Sequence, residues 1–111
     1  MGVTRTELFT AEQNELARIA KAMGHPARIA IIEYLLSANA CINSDLVEEL
    51  GLAQATISQH LRELKDLDII QGTVDGVSVC YCINAEKWAT ISNLFSQLFG
   101  RYVPSNPNSY C

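Results

Sequence analysis

The stretch Leu52–Ile70, LAQATISQHLRELKDLDII, decides how the rest of the chain is read. At about 100° per residue, Ile57, Leu61 and Leu64 fall in one narrow apolar stripe with Leu67 at its edge, the spacing of a helix packed on a core. The whole stretch is therefore predicted as one helix. Its opposite face carries Ala55, Ser58, Gln59 and Arg62 at i, i+3, i+4 and i+7, flanked by Gln54 and Lys65. Gln and Arg each offer two hydrogen bonds to a base edge, and Ser or Lys can hold a phosphate oxygen. The same row also fits a plain solvated face of an amphipathic helix, so the neighbouring segments have to decide.

Upstream, Thr10-Ala-Glu-Gln13 fits a capping box that starts a first helix over about residues 11–23, with Leu16, Ile19, Ala20 and Met23 at helical spacing. Gly24-His25-Pro26 stops that run, because proline cannot continue a helix and glycine loosens it. A second helix begins at Pro26 or Ala27. Its sequence ARIAIIEYLL is apolar almost all round, with Ile29, Ile32, Leu35 and Leu36 on one side and Ile31 and Tyr34 nearby, which marks the centre of the core. Ser37–Cys41 reads as a loop, and Asn43 or Ser44 as the cap of a short third helix with Asp45 in its first turn. Gly51 ends that helix as a left-handed cap. A short helix, a tight turn and a longer polar-faced helix make a helix-turn-helix.

Downstream, residues 69–83 read as two strands around Asp75-Gly76, a strong two-residue hairpin signal. Val77, Val79, Tyr81 and Ile83 alternate to one face, and Ser78, Cys80 and Cys82 to the other. A hairpin in that place is a wing. Asn84 caps a last helix over about 85–99, where Trp88, Ile91, Phe95 and Leu98 keep a heptad-like spacing that Leu94 and Phe99 widen. That apolar stripe exceeds what one small domain buries, so a twofold pairing is expected through Leu16, Ile19, Trp88, Ile91, Leu94, Phe95 and Leu98. The expected fold is mainly α with a two-stranded β-hairpin wing: four helices, two strands and a fifth helix, a winged helix-turn-helix paired as a homodimer through its first and last helices. Residues 1–9 are read as an N-terminal arm, 10–99 as the DNA-binding and dimerisation domain, and 100–111 as a flexible tail.

Composition narrows the class. With 111 residues and 49% hydrophobic content, the chain can bury a sizeable core without disulfide staples. No apolar run approaches the roughly 18 residues of a membrane span, and the N-terminal MGVTRTELFT lacks the apolar segment of a signal peptide, so no membrane is expected and the cytoplasm is the default. A formal net charge of −4 argues against a protein that coats nucleic acid indiscriminately, while leaving room for a local basic patch. There is no nucleophile–base constellation or phosphate loop, so neither an enzyme nor a cofactor is expected.

The order of elements and three local strings resemble the ArsR/SmtB family of bacterial winged helix-turn-helix repressors over about residues 16–99. Met23-Gly-His-Pro-Ala-Arg28-Ile is similar to that family's "ALxHPxRLxIL". Leu50 to Leu61, LGLAQATISQHL, is similar to its "LGLSQSTVSxHL" recognition segment, and Val79-Cys-Tyr81-Cys-Ile83 to its "VYYxL". The resemblance implies a homodimer that binds double-stranded, inverted-repeat operator DNA and lets go when an inducer binds; the sequence does not name that inducer. It puts DNA contacts at Gln54, Ala55, Ser58 and Gln59, in agreement with the face already derived. The full set expected at DNA is Gln54, Ala55, Thr56, Ser58, Gln59, Arg62 and Lys65.

The departures bear on sensing. Where arsenic and lead sensors of the family carry a "CVCDL" box, this chain has Ile42-Asn43-Ser44-Asp45-Leu46, and Cys41 alone is a poor chelator of a soft metal. Zinc and nickel sensors use Asp/His and His/Glu pairs on the last helix, and residues 85–99 contain no histidine. No metal site is expected. The wing carries no arginine around Asp75 and should attract phosphate weakly. Cys41, Cys80, Cys82 and Cys111 are candidates for a thiol switch, set against the reading that all four are incidental reduced thiols; Cys80 and Cys82 sit on one strand face at about 6.5–7 Å, the limit for a disulfide. His25 is expected to hydrogen-bond locally and His60 to pack beneath the polar face. A sequence-specific dimeric repressor is thus the leading expectation. A winged helix used as a protein–protein module, without specific DNA binding, is the alternative that the acidic charge and bare wing leave open.

Overall fold

The computed structural model describes residues 6–38, 45–73 and 80–104. In chain order the elements are α1 (Ala11–Met23), α2 (Pro26–Ala38), α3 (Asp45–Leu50), α4 (Gln54–Asp66), β1 (Ile70–Thr73), β2 (Cys80–Ile83) and α5 (Ala85–Phe99), the expected order. One 3-10 turn, Thr6–Leu8, lies inside the segment expected to be an arm.

Local chemistry sets most of the boundaries. The backbone N–H of Gln13 donates to Thr10 Oγ1 at 3.0 Å and the N–H of Thr10 donates to Gln13 Oε1 at 2.9 Å, which closes the anticipated capping box of α1. His25 starts α2: its Nδ1 accepts from the N–H of Ala27 at 3.1 Å, just after Pro26 has removed a donor that a first-turn position does not need. Gly51, at φ +67°, ends α3 in the left-handed region as expected. Asn84 caps α5 through its side-chain oxygen and the N–H of Lys87.

Three expectations are corrected. The stretch 52–70 is not one helix. Asp68 takes φ +61°, the N–H of Asp68 donates to the carbonyl of Lys65 at 2.8 Å, and that of Ile69 donates to the carbonyl of Leu64 at 3.1 Å. This is a Schellman ending with aspartate in the place glycine usually takes, and it turns Ile69 into the core and Ile70 into the start of β1 instead of continuing the helix. Within α2 the buried side is Ile31, Ile32 and Leu35, whereas Ile29 and Leu36 remain exposed, and the helix runs through Ser37 and Ala38, residues expected in a loop. The expected caps Asn43 and Ser44, the remaining loop residues 39–41, the Asp75-Gly76 turn and its flanks Val77, Ser78 and Val79 lie outside the described residues, as do 105–111 of the expected tail.

The hairpin pairs antiparallel with Ile70 opposite Ile83, Gln71 opposite Cys82, Gly72 opposite Tyr81 and Thr73 opposite Cys80. Its inner face delivers Ile70 and Tyr81 to a single core that gathers Ile19 from α1, Ile31, Ile32 and Leu35 from α2, Leu46 from α3, Ile57, Leu61 and Leu64 from α4, and Ile91 from α5. Every helix contributes to this core, and α4 is held from its inner side by α1, α2, α3 and β1, so that it offers its outer side to a ligand. Lys87 on α5 donates to Glu15 on α1 at 3.1 Å, fastening the first and last helices together.

Candidate nucleic-acid interface

On α4 the expected division of faces is present. Ile57, His60, Leu61 and Leu64 are buried, while Gln54, Ala55, Thr56, Gln59 and Arg62 are exposed and Ser58 and Lys65 are half-buried. The structure therefore brings all seven candidates onto one helix, five of them fully open. Ala53 precedes the helix without a side-chain cap, which leaves the first-turn amides of α4 to solvent or to an anion. Arg62 and Lys65 are the cations of this helix, interleaved with Glu63 and Asp66.

Beneath that face sits a polar cluster that periodicity does not reveal. Arg28 of α2 donates from Nε to Nδ1 of His60 at 3.0 Å and from a terminal nitrogen to the carbonyl of Ala22 on α1 at 2.9 Å, and its other terminal nitrogen is ion-paired with the Glu63 carboxylate. Gln59 Nε2 in turn donates to Glu63 Oε1 at 3.3 Å. Because Nδ1 of His60 accepts, that ring is neutral with its proton on Nε2. Burial, then the neighbouring His25 and Arg28, hold its pKa below the ordinary 6.5. The rings of His25 and His60 lie 4.6 Å apart; His25 hydrogen-bonds locally to Ala27 and His60 packs beneath the polar face, as expected. Next to the cluster a cavity of about 530 Å³ is bordered by Arg18, Lys21 and His25 as well as by Arg28, Glu63 and Asp66. Arg28 and Glu63 were not among the sequence candidates. The one available signal was an arginine inside a helix otherwise apolar almost all round.

The candidate dimer residues divide into two groups. Ile19 and Ile91 are buried in the protomer's own core. Leu16, Trp88, Leu94 and Phe95 are half-buried, and Leu98 is 42% exposed, followed by Phe99 at 70%. Leu16, Leu94 and Leu98 also border a cavity of about 580 Å³ between the start of α1 and the end of α5, together with Thr10 and Arg101. Cys80 and Cys82 are half-buried free thiols on β2, with Gln71 Nε2 at 3.6 Å from the Cys82 sulfur; Cys41 and Cys111 lie outside the described residues. No group of three or more potential metal ligands occurs among the described residues.

Comparison with known proteins agrees with this geometry. The model of the family described as bacterial regulatory protein, arsR family, matches residues 25–71, from the cap of α2 to the first residues of β1. The HTH-type transcriptional regulator YgaV of Escherichia coli is 28% identical over 97 residues, covering 84% of this chain and 98% of that protein. The crystal structure of the transcriptional repressor BigR from Xylella fastidiosa superposes with a TM-score of 0.61 at 23% identity, over 93% of this chain and all of that one (100%). The solution structure of a homodimeric winged helix-turn-helix DNA-binding domain, Mb0332 from Mycobacterium bovis, superposes with a TM-score of 0.61 at 20% identity, over 99% of both chains. The last two establish the fold, and the family model rests on the same helix-turn-helix whose outer face is open here. Residues 25–71 of this chain, its helix-turn-helix and flanks, match the arsR family of bacterial regulatory proteins.

Proposed function

We propose that the chain is a dimeric transcriptional repressor that binds double-stranded operator DNA through α4, is released by an inducer, and has no enzymatic activity. The observation that carries this reading is the division of α4: four side chains anchor it in the core, and Gln54, Ala55, Thr56, Gln59 and Arg62 are exposed away from it. Amide and guanidinium groups on a rigid helix suit major-groove base edges, and helix-turn-helix proteins present their second helix in that way. Ser58 and Lys65 complete the set at its margins.

Dimerisation is supported by the half-exposed apolar run Trp88, Leu94, Phe95 and Leu98 on α5, beside Leu16 of α1. A twofold axis there would set two α4 helices about one turn of B-DNA apart. Mb0332, which shares the fold, is a homodimeric DNA-binding domain. The cytoplasm is the compartment that suits a repressor, and no helix among the described residues is long and apolar enough to cross a membrane. Cys41, Cys80, Cys82 and Cys111 remain the candidates for a thiol-based release, and no metal or cofactor is assigned.

The test is an electrophoretic shift with the DNA upstream of the protein's own gene and a shuffled duplex of the same composition, over a series of salt concentrations. Sequence-selective, salt-sensitive binding in the nanomolar range is expected. Equal, weak binding to both duplexes points instead to a protein–protein module.

A further inference from the structure

The base-reading face of α4 is wired to the scaffold through one arginine. Arg28 spends all three nitrogens of its guanidinium on fixed partners: the carbonyl of Ala22 at the end of α1, Nδ1 of His60 and the carboxylate of Glu63. Its own side chain is only 16% exposed, whereas that of Glu63 is 40% exposed and spans the edge between core and surface. Glu63 uses one carboxylate oxygen for Arg28 and the other for the Gln59 amide, at 3.3 Å. A carboxylate only accepts, so the amide nitrogen of Gln59 must face Glu63 and its Oε1 is turned outward. An unrestrained glutamine on a helix surface presents its donor and acceptor in either order. Here one order is selected before any DNA arrives.

We propose that Arg28 and Glu63 are positioning residues for sequence selectivity: Arg28, on α2 and bonded to α1, holds Glu63 of α4, which locks the Gln59 amide in one orientation, so that α4 prefers a base edge that donates to Gln59 Oε1. Neither residue need touch DNA for this. The preference goes to the exocyclic amino groups of adenine or cytosine over the carbonyl oxygens of guanine or thymine, which Oε1 repels. Locking also removes the entropy cost of ordering a long side chain on binding. The proposal rests on α4 being the DNA-reading helix.

The experiment uses a duplex selected by the wild-type protein from a randomised pool, and the same duplex with each base pair replaced in turn. Affinities are measured at one salt concentration for wild type, Gln59→Ala, Glu63→Ala and the double variant. Gln59→Ala should lose about ten-fold in discrimination at one base pair per half-site. Glu63→Ala should lose discrimination at that same base pair and at no other, with affinity for shuffled DNA not reduced, since the variant removes a negative charge. The double variant should lose no more than Gln59→Ala alone, because the two act through one contact. Arg28→Lys, which keeps the charge but cannot hold three partners at once, should reproduce the Glu63→Ala pattern. Full discrimination in Glu63→Ala or in Arg28→Lys, or additive losses in the double variant, overturns the positioning role while leaving α4 as the reading helix. Unchanged discrimination in Gln59→Ala removes that residue from the interface and overturns the proposal with it.

Discussion

Gly72 of β1 stands opposite Tyr81 of β2 with φ at +146°, and a methyl group built on it would lie 1.9 Å from the carbonyl oxygen of Cys80. Both the backbone angle and the space admit only glycine. Since Tyr81 is wholly buried, the close approach of the two strands at this point is what seats the wing on the core. Gly72→Ala is expected to destabilise the protein by about 2 kcal/mol or more. Urea unfolding measures it, and a midpoint equal to that of wild type would mean that the hairpin has room the structure does not show.

Acid should loosen the molecule through His60. Its pKa lies below 6.5 because burial, then His25 and Arg28, disfavour the imidazolium. The unfolded chain therefore takes up this proton first as pH falls, so the contribution to stability is complete above 6.5 and is lost from there downward toward the folded-state pKa. Protonation also ends the bond from Arg28 Nε, since Nδ1 can no longer accept. His60→Asn carries an oxygen near the Nδ1 position and does not titrate. Unfolding midpoints at about pH 7.5 and 5.5 should differ less in this variant than in wild type. Equal differences would assign the acid sensitivity elsewhere.

Arg62 is the more exposed cation of α4 and forms no ion pair among the described residues. If it holds a phosphate, Arg62→Ala weakens binding to every duplex alike and lowers the slope of log affinity against log salt by about 1. A salt slope that stays at the wild-type value takes Arg62 off the phosphate backbone.

The dimer should be separable from the fold. Leu98 is exposed and Ile91 is buried among residues of its own protomer. Leu98→Asp is thus expected to give a folded monomer that has lost operator binding, whereas Ile91→Lys places a charge in the core and should unfold the protomer. Sedimentation at micromolar concentration together with circular dichroism distinguishes these outcomes. A wild-type protein that sediments as a monomer refutes the proposed pairing.

Elements whose start or end is satisfied within three or four residues were legible in the sequence. The Thr10–Gln13 box, the Asn84 cap and the left-handed Gly51 are complete within their own segments, and the alternating faces of α4 follow from spacing alone. The polar row that makes the candidate site was legible for the same reason. Tertiary structure alone decided three things. A helix that is apolar almost all round carries no preferred direction, so only packing could place Ile31 inward and Ile29 outward. The end of α4 at Asp66 depends on Ile69 and Ile70 finding the core, a gain large enough to hold an aspartate in a left-handed conformation. The link from Arg28 to His60 crosses 32 residues of chain. Such a bond has no period and no local signature, because it comes into being only when two helices, each specified by its own neighbours, are pressed together by the core they share.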